Sequence, residues 1–306
     1  MSSQTADLRS AVLKALAYFD IFDYPLTLVE VHKWLYQPSS VYSLAEVLVA
    51  LGKTAEIEER FGFYFLVGRG SIVASRLKRY KISEKKFTIA SRVAGWLSRL
   101  NFVKMIAVCN NAGYNNAAAP SDIDFFIVAA KGRLWQARLA AIIITTILGV
   151  RRRGDQVTNR ICLSFYLADH HLNLSDVGLL PNDPYLTYWL ATLSPIYGQE
   201  TYSTLLAANG WLKNFLPNFY PNFLTNRRYL PPAQYMAFPR SLSDALESLA
   251  KAAQIKKIKQ YFGSEINSSD HSVVISDQML KLHKVDRREM YQKIWQQKLV
   301  SLKLYD

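Results

Sequence analysis

The chain opens with apolar residues spaced three and four positions apart, which predicts an amphipathic helix over residues 6–20. The apolar positions that define this stripe are Leu8, Val12, Leu16 and Phe19. Pro25 follows shortly afterwards and prevents the helix from continuing, because proline lacks a backbone N–H and restricts the residue before it.

Two short helices are expected next, each opened by a capping box. In this device a hydroxyl and a carboxylate three residues later satisfy each other's backbone N–H groups. The first box is Thr27 with Glu30, and the second is Ser43 with Glu46. The helix that starts at the second box is expected to end near Gly52, a residue type common after helix ends.

Residues 56–67 predict two short strands around a Phe-Gly turn. Three helices and a hairpin resemble a winged helix-turn-helix domain, which we assign to residues 1–70. Such a domain binds DNA through its third helix, but residues 43–53 contain no Asn, Gln or Arg. Because Lys and Arg contacts to phosphate dominate DNA affinity, a packing or protein-interaction module is favoured over a DNA-binding one.

Residues 71–100 predict a basic connector made of one or two helices, with Ser83 as the N-cap of the second. Eight Lys and Arg residues against one acid give this segment a net charge of +7. A solvated helix face and a surface that faces phosphate are both compatible with such a run.

The motif that carries chemistry lies between two apolar strands, expected at residues 105–108 and 123–128. The loop between them is rich in Asn, Gly and Ala, which allow backbone N–H groups to approach a phosphate. Asp122 and Asp124 stand two positions apart at the start of the second strand, so both carboxylates point to the same side. Paired carboxylates suit Mg²⁺, which prefers oxygen ligands and stabilises phosphoryl transfer.

This arrangement resembles the nucleotidyltransferase fold of the DNA polymerase β superfamily. It consists of a strand, a loop of small residues and a second strand that begins with Ser-Asp-Ile-Asp. That superfamily carries a Gly-Ser pair at the start of the loop and an Asp-x-Asp pair further along. The resemblance implies an α+β core with a mixed sheet, and catalytic and Mg²⁺-binding roles for Asp122 and Asp124. It also implies phosphate contacts from Asn110, Asn111 and Ser121. The implied reaction transfers a nucleotidyl group from a nucleoside triphosphate to an unidentified acceptor with the assistance of two Mg²⁺ ions.

The whole chain is also similar to a group of uncharacterised bacterial and archaeal nucleotidyltransferase-like proteins with an N-terminal winged helix. The shared patterns are Tyr-Phe-Asp-Ile-Phe-Asp-Tyr-Pro at 18–25, Gly-Phe-Tyr-Phe-Leu at 62–66, Lys-Gly-Arg-Leu-Trp at 131–135, Ile-Cys-Leu-Ser-Phe at 161–165 and Val-Ile-Ser-Asp at 274–277. The resemblance therefore extends over most of the chain.

Two features differ from the superfamily's pattern. Asn110 and Asn111 stand in place of the Gly-Ser pair, although asparagine tolerates unusual backbone angles and its amide donates to phosphate. The strand expected at residues 161–167 has no acid to serve as a third carboxylate, and neither Asp155 nor Asp169 beside it is a convincing ligand. A catalytically degenerate nucleotide sensor or partner-binding protein is therefore the alternative to an enzyme, and a winged-helix DNA-binding regulator is the third hypothesis.

Residues 132–150 predict a buried helix whose apolar stretch is too short to cross a bilayer, so no membrane partner is expected. The three arginines at 151–153 follow its C-terminal end, where cations interact favourably with the helix dipole. They could instead clamp phosphate if the triplet folds back toward Asp122.

Cys109 and Cys162 are too few for a disulfide framework and are typical of a reducing compartment. The first residues lack the basic and apolar regions of a secretory signal, so a cytoplasmic protein is expected. Neither cysteine has the sequence neighbours of a nucleophile, and His170 and His171 lack zinc-type spacing to other ligands, which predicts a surface pair.

Residues 101–180 form the expected nucleotidyltransferase-like core, and residues 181–306 an all-helical C-terminal region. The helices are expected at 184–216, 241–262 and 277–302.

The basic residues are unevenly distributed along the chain, whose formal net charge is +13. The net charge is −2 over residues 1–70 and +2 over 101–225, but +7 over 71–100 and +6 over 226–306. The excess therefore lies around the expected core and not in the N-terminal domain. This distribution favours a cleft that binds a nucleoside triphosphate and its acceptor, with nucleic acid as the less favoured partner.

Overall fold

The computed structural model is an α+β protein with one three-stranded and one six-stranded sheet in the part of the chain that it describes. The described residues are 3–179, 182–221, 228–231, 240–263, 266, 272–283 and 285–304. The α+β class expected from the sequence is confirmed at this level.

The N-terminal helices pack beside the smaller sheet. Its elements are α1 (Ser3–Asp20), β1 (Leu26–Thr27), α2 (Leu28–Lys33), α3 (Leu44–Lys53), β2 (Ile57–Arg60) and β3 (Phe63–Leu66). Both capping boxes form as predicted, since Thr27 and Ser43 each exchange hydrogen bonds with the glutamate three residues later. The predicted hairpin is present as β2 and β3, and β1 adds a third, antiparallel strand beside β3 that the sequence pattern did not predict.

A single long helix, α4 (Ile72–Leu97), forms the basic connector. The prediction that Ser83 caps a second helix is wrong, because this residue is fully buried inside α4. Its hydroxyl accepts a hydrogen bond from the backbone N–H of Ala117 at 3.2 Å. Lys86 on the same helix is also buried, and its ammonium donates to the backbone carbonyl of Ser121 at 2.6 Å. Polar groups of α4 therefore hold the loop that precedes Asp122.

The larger sheet and its helices make up the rest of the described chain. The elements are β4 (Val103–Val108), α5 (Asn110–Gly113), β5 (Ile123–Ala129), α6 (Leu134–Ile147), β6 (Ile161–Ala168), α7 (Pro184–Ala191), β7 (Ser194–Tyr197), α8 (Gln199–Ala208), α9 (Leu212–Phe215), α10 (Arg240–Phe262), β8 (Val273–Ile275), β9 (Met279–Leu282) and α11 (Arg288–Ser301). The strand order is β7-β4-β5-β6-β9-β8, in which β5 and β6 are parallel and all other pairs are antiparallel.

The C-terminal region is not all helical as predicted, because it contributes β7, β8 and β9 to the larger sheet. β7 interrupts the helix expected over 184–216, and the helix expected over 277–302 begins only at α11. β7 and β9 are four residues long and buried throughout. Runs this short show neither helical nor strand periodicity. Their conformation is decided by pairing, of β7 with β4 and of β9 with β6.

The larger sheet is covered by helices on both faces. Met105, Phe126 and Leu167 pack on one face with buried residues of α1, α7 and α11. Ile106 and Ile127 pack on the other face with residues of α4, α6 and α10. Because successive strand residues point to opposite faces, strands buried on both sides appear in the sequence as continuous apolar runs.

The apolar helix α6 lies against the sheet and α10. Among the helices of the described ranges, none combines the length and apolar character that a membrane crossing requires.

Candidate functional site

The two aspartates of the Ser-Asp-Ile-Asp motif meet a cysteine at the start of β5. Asp122 immediately precedes this strand, and Asp124 pairs in register with Cys162 of the parallel strand β6. One carboxylate oxygen from each aspartate and the Cys162 Sγ lie within 4.8 Å of one another. Within the described chain, this group of two oxygen donors and one sulfur donor has the spacing needed to hold a metal ion.

Cys162 is a site residue that the sequence analysis missed. No neighbouring motif marks it, but it is the second residue of β6 just as Asp124 is the second residue of β5. Because β5 and β6 are parallel, equal positions in the two strands become neighbours, and this is the signal that could have identified it. A thiol thus occupies the region where the resemblance implies a third carboxylate.

The other two acids near β6 lie outside the cluster. Asp169 follows the far end of β6, where its carboxylate accepts a hydrogen bond from the backbone N–H of Lys131 at 2.9 Å. Asp155 is exposed in the connection between α6 and β6.

The arginine triplet does fold back toward the aspartates. Arg152 Nη1 lies 2.6 Å from Asp122 Oδ2 and 3.6 Å from Cys162 Sγ. The backbone of the triplet runs beside β6, with Arg151 bridged to Ile161. Arg152 is therefore close enough to Asp122 to contact a phosphate bound there, which is the arrangement that a phosphate clamp requires.

Negative charge is concentrated at this cluster. Burial, followed by the proximity of Asp122, raises the pKa of Asp124 from its ordinary value of 3.8 to about 6. Burial and the two aspartates also raise the pKa of the Cys162 thiol well above its usual range, so this thiol stays protonated at neutral pH. Since Arg152 offsets only part of the charge, a divalent cation would stabilise the ionised aspartates.

The loop residues predicted to contact phosphate lie next to the aspartates. Asn110 has a positive φ of 55°, which asparagine tolerates better than most residues, and its amide hydrogen-bonds Asp124. The hydroxyl of Tyr185 donates to Asn110 Oδ1 at 3.3 Å. The Asn111 side chain accepts a hydrogen bond from the Tyr114 hydroxyl. The Ser121 hydroxyl donates to the backbone carbonyl of Ala118 in the same loop.

A cavity of about 190 Å³ opens over this group. Its wall includes all five residues predicted from the sequence, namely Asn110, Asn111, Ser121, Asp122 and Asp124. Aromatic residues of α1, of the segment after it, of α7 and of α11 also line the cavity, and we call them the aromatic wall. They include Tyr18, Phe22, Tyr185, Tyr188, Trp189 and Tyr291. The cavity thus combines a polar, anionic floor with flat apolar faces on which a ring could stack.

No family model, curated protein or solved structure matches this chain. The function is therefore inferred from the residues that surround the cavity. These are the two aspartates with Cys162, the asparagine loop, the Arg152 guanidinium and the aromatic wall.

Proposed function

We propose that the protein is a nucleotidyltransferase that uses Asp122 and Asp124 to bind the cation of a nucleoside triphosphate. The observation that carries this proposal is that both carboxylates line one cavity together with Asn110, Asn111 and Ser121. These are the residues to which the superfamily resemblance gives metal-binding and phosphate-binding roles.

The arrangement of the strands supports a nucleotidyltransferase-type core. β4 and β5 are antiparallel neighbours joined through the small-residue loop, and β6 is parallel to β5. The three helices and three-stranded sheet at the N-terminus likewise support a winged-helix domain.

The donor set fits one Mg²⁺ ion better than two. Asp122 and Asp124 supply the oxygen ligands that Mg²⁺ prefers, and the remaining ligands would be phosphate oxygens and water. Cys162 is not a suitable Mg²⁺ ligand, because its thiol is neutral and sulfur is a soft donor. A bound Mg²⁺ ion would polarise the α-phosphoryl group and neutralise part of its charge.

The protein's own groups would then position the triphosphate. Asn110 and Asn111 can donate amide hydrogens to phosphate oxygens, and Arg152 can make charge-assisted hydrogen bonds to them. Phosphoryl-transfer chemistry depends mainly on positioning and on neutralisation of charge, which these groups provide.

Wild-type protein is expected to be stabilised against heat by a nucleoside triphosphate only when Mg²⁺ is present. Asp122→Asn should remove this stabilisation, whereas Asp155→Asn, an exposed aspartate outside the cluster, should retain it. At a ligand concentration of about 100 Kd the stabilisation amounts to roughly 3 kcal/mol. The proposal fails if wild type is not stabilised, or if Asp122→Asn responds as wild type does.

A nucleotide sensor without transferase activity is the second candidate function. Cys162 favours it, because a thiol stands in the region of the expected third carboxylate and the described residues supply no other acid to the cluster. Transfer from α-labelled triphosphate to any acceptor in a cell extract would exclude the sensor, while Mg²⁺-dependent binding without transfer would support it.

The surface of α3 argues against a DNA-binding regulator. Leu44, Leu48 and Val49 of this helix are each more than 40% exposed and cannot contact phosphate through charge or hydrogen bonds. The apolar surface supports the alternative that this domain packs against, or interacts with, another protein.

Arg152→Gln should change the metal and nucleotide affinities in opposite directions. Without nucleotide, the guanidinium competes with a cation for Asp122, so its removal should raise Mn²⁺ affinity about fivefold, as expected for a partly exposed ion pair. With nucleotide, loss of a charge-assisted contact should weaken binding of the Mg²⁺–ATP complex about tenfold.

Both affinities can be measured by isothermal titration calorimetry. Arg153→Gln is the matched control, because Arg153 hydrogen-bonds Thr146 and not the aspartates. If both affinities fall together in Arg152→Gln, Arg152 has only a structural role.

A further inference from the structure

A second cavity, of about 160 Å³, adjoins the first and is not used by the nucleotide in the proposed function. The two cavities share Asn110, Tyr185, Trp189 and Tyr291 as wall residues. Molecules bound in the two cavities would therefore lie side by side at these four residues.

The second cavity is lined by residues of β9 and of the start of α11, whose charges are mostly balanced within the protein. Lys281 lies 2.9 Å from Asp286, and Arg288 lies 2.8 Å from Asp286 and 2.9 Å from Asp183. Arg287 is exposed and has no ion pair among the described residues. Among the lining residues that the structure describes, Arg287 is therefore a cationic side chain available to an anionic ligand.

His283 also lines this cavity and directly follows β9, at the end of the strand nearer the aspartates. β9 is antiparallel to β6 with Lys281 beside Phe165, so His283, two residues further on, extends toward the start of β6, where Cys162 lies. No side-chain hydrogen bond engages its ring nitrogens within the described part of the chain. The imidazole therefore retains both ring nitrogens for a ligand.

The surroundings of His283 keep it neutral. Burial, and then the positive charge of Lys281, lowers the pKa of His283 from 6.5 to about 4. Arg288 and Arg152 act in the same direction, and Asp286 opposes them. The imidazole is therefore unprotonated at physiological pH, so a ring nitrogen can accept a hydroxyl hydrogen.

We propose that this second cavity binds the acceptor, a small hydroxylated molecule with one anionic group, which Arg287 holds while His283 accepts the hydroxyl proton. The inference rests on the proposed function and adds the class of its second substrate. The shared aromatic residues provide ring faces against which a hydroxylated ring can pack. The volume suits a small molecule and not a polymer.

The reaction balances as a single displacement. The acceptor O–H bond breaks and its proton moves to a ring nitrogen of His283, while the acceptor oxygen forms a bond to the α-phosphorus. The bond between that phosphorus and the oxygen that bridges to the β-phosphate breaks, and pyrophosphate leaves with the electron pair. The imidazolium then releases its proton to water.

The first experiment measures binding of three phosphorylated probes and of their neutral parents to the full chain by calorimetry. The probes are ribose 5-phosphate, glucose 6-phosphate and glycerol 3-phosphate. At least one should bind about tenfold more tightly than its parent, in keeping with one charge-assisted contact. Arg287→Gln should abolish this preference. Lys293→Gln should retain it, because Lys293 is an exposed cation of α11 that does not line the cavity.

The second experiment measures transfer from α-labelled ATP to the probe that binds. His283→Gln and His283→Asn should lower kcat by about 10²-fold to 10⁴-fold with KM changed less than threefold. The wild-type rate should decline below pH 6, where Asp124 takes up a proton, and again near pH 4, where His283 does. Only the second decline should be absent from the residual rate of both variants. Unfolding of both variants at pH 7 is measured alongside, so that a folding defect is recognised.

The outcomes separate this inference from the proposed function. If the Mg²⁺–ATP complex does not bind to wild type, the proposed function itself fails. If it binds but no probe prefers the anionic form, or Arg287→Gln keeps the preference, the acceptor cavity is wrong and the nucleotide site stands. Transfer that is equally fast in a folded His283 variant overturns the role of the imidazole.

Discussion

Asp124→Asn should raise the free energy of unfolding at pH 8 by roughly 3 kcal/mol and abolish Mg²⁺-dependent binding of nucleoside triphosphates. Burial and Asp122 raise the pKa of Asp124 to about 6 in the folded chain, so the ionised carboxylate destabilises the native state. Asparagine removes that charge and also removes a metal ligand. A variant that is both more stable and unable to bind the cation is typical of a functional site.

The stabilisation by Asp124→Asn should increase with pH. Between pH 3.8 and about 6 the folded chain retains a proton on Asp124 that the unfolded chain has lost, so wild-type stability falls as the pH rises through this window. The difference between Asp124→Asn and wild type should therefore grow from pH 4 to 6 and level off above it.

Urea unfolding of wild type and Asp124→Asn from pH 4 to 8 measures this difference. Asp155→Asn, at an exposed position outside the cluster, serves as the control and should follow the wild-type curve. A variant less stable than wild type at pH 8 would mean that Asp124 is satisfied in its site and is not held there for a cation.

Gly198→Ala should destabilise the fold by more than about 3 kcal/mol, a loss typical of severe backbone conflict. Gly198 follows β7 and has a φ of +84°, which residues with a Cβ rarely adopt. A Cβ at this position would lie 2.0 Å from the backbone oxygen of Lys104 and 2.7 Å from the Cα of Met105. Since both atoms belong to the backbone of β4, the clash can be relieved only if the two strands separate.

Gly149→Ala is the matched control for this prediction. Gly149 also has a positive φ, of 67°, but a Cβ there would meet no atom within 4 Å. Its substitution should cost only the backbone strain, about 1 kcal/mol. Urea unfolding of both variants tests the difference. Equal losses would show that the close approach of β7 to β4 contributes nothing.

Local signals in the sequence predicted local structure well. Thr27 and Ser43 form their capping boxes because a hydroxyl and a carboxylate three residues apart meet within one helical turn. The strand that carries Asp124 was predicted over residues 123–128, because the apolar run from Phe125 to Val128 contains two phenylalanines and two β-branched residues, which favour strands. By contrast, Ser83 has the residue type of a helix cap but is buried inside α4, where tertiary packing determines its role.

Some residues of the candidate site could be predicted from local sequence, and others could not. Asn110, Asn111, Ser121, Asp122 and Asp124 could be predicted together, because one loop and the strand after it bring them close regardless of the rest of the fold. The aromatic wall could not be predicted, since its members come from α1, α7 and α11 and meet only when these helices pack on the same face of the sheet.

By itself, the sequence determined the α+β class, the N-terminal helices with their caps, and the five loop and strand residues of the candidate site. These features depend on residues close together in the chain. Only the tertiary structure decided that β7 and β9 are strands, that Arg152 returns to Asp122, and that Cys162 lies beside Asp124. Each of these three features depends on pairing or packing between segments that are distant in sequence, and local residue patterns contain no information about such contacts.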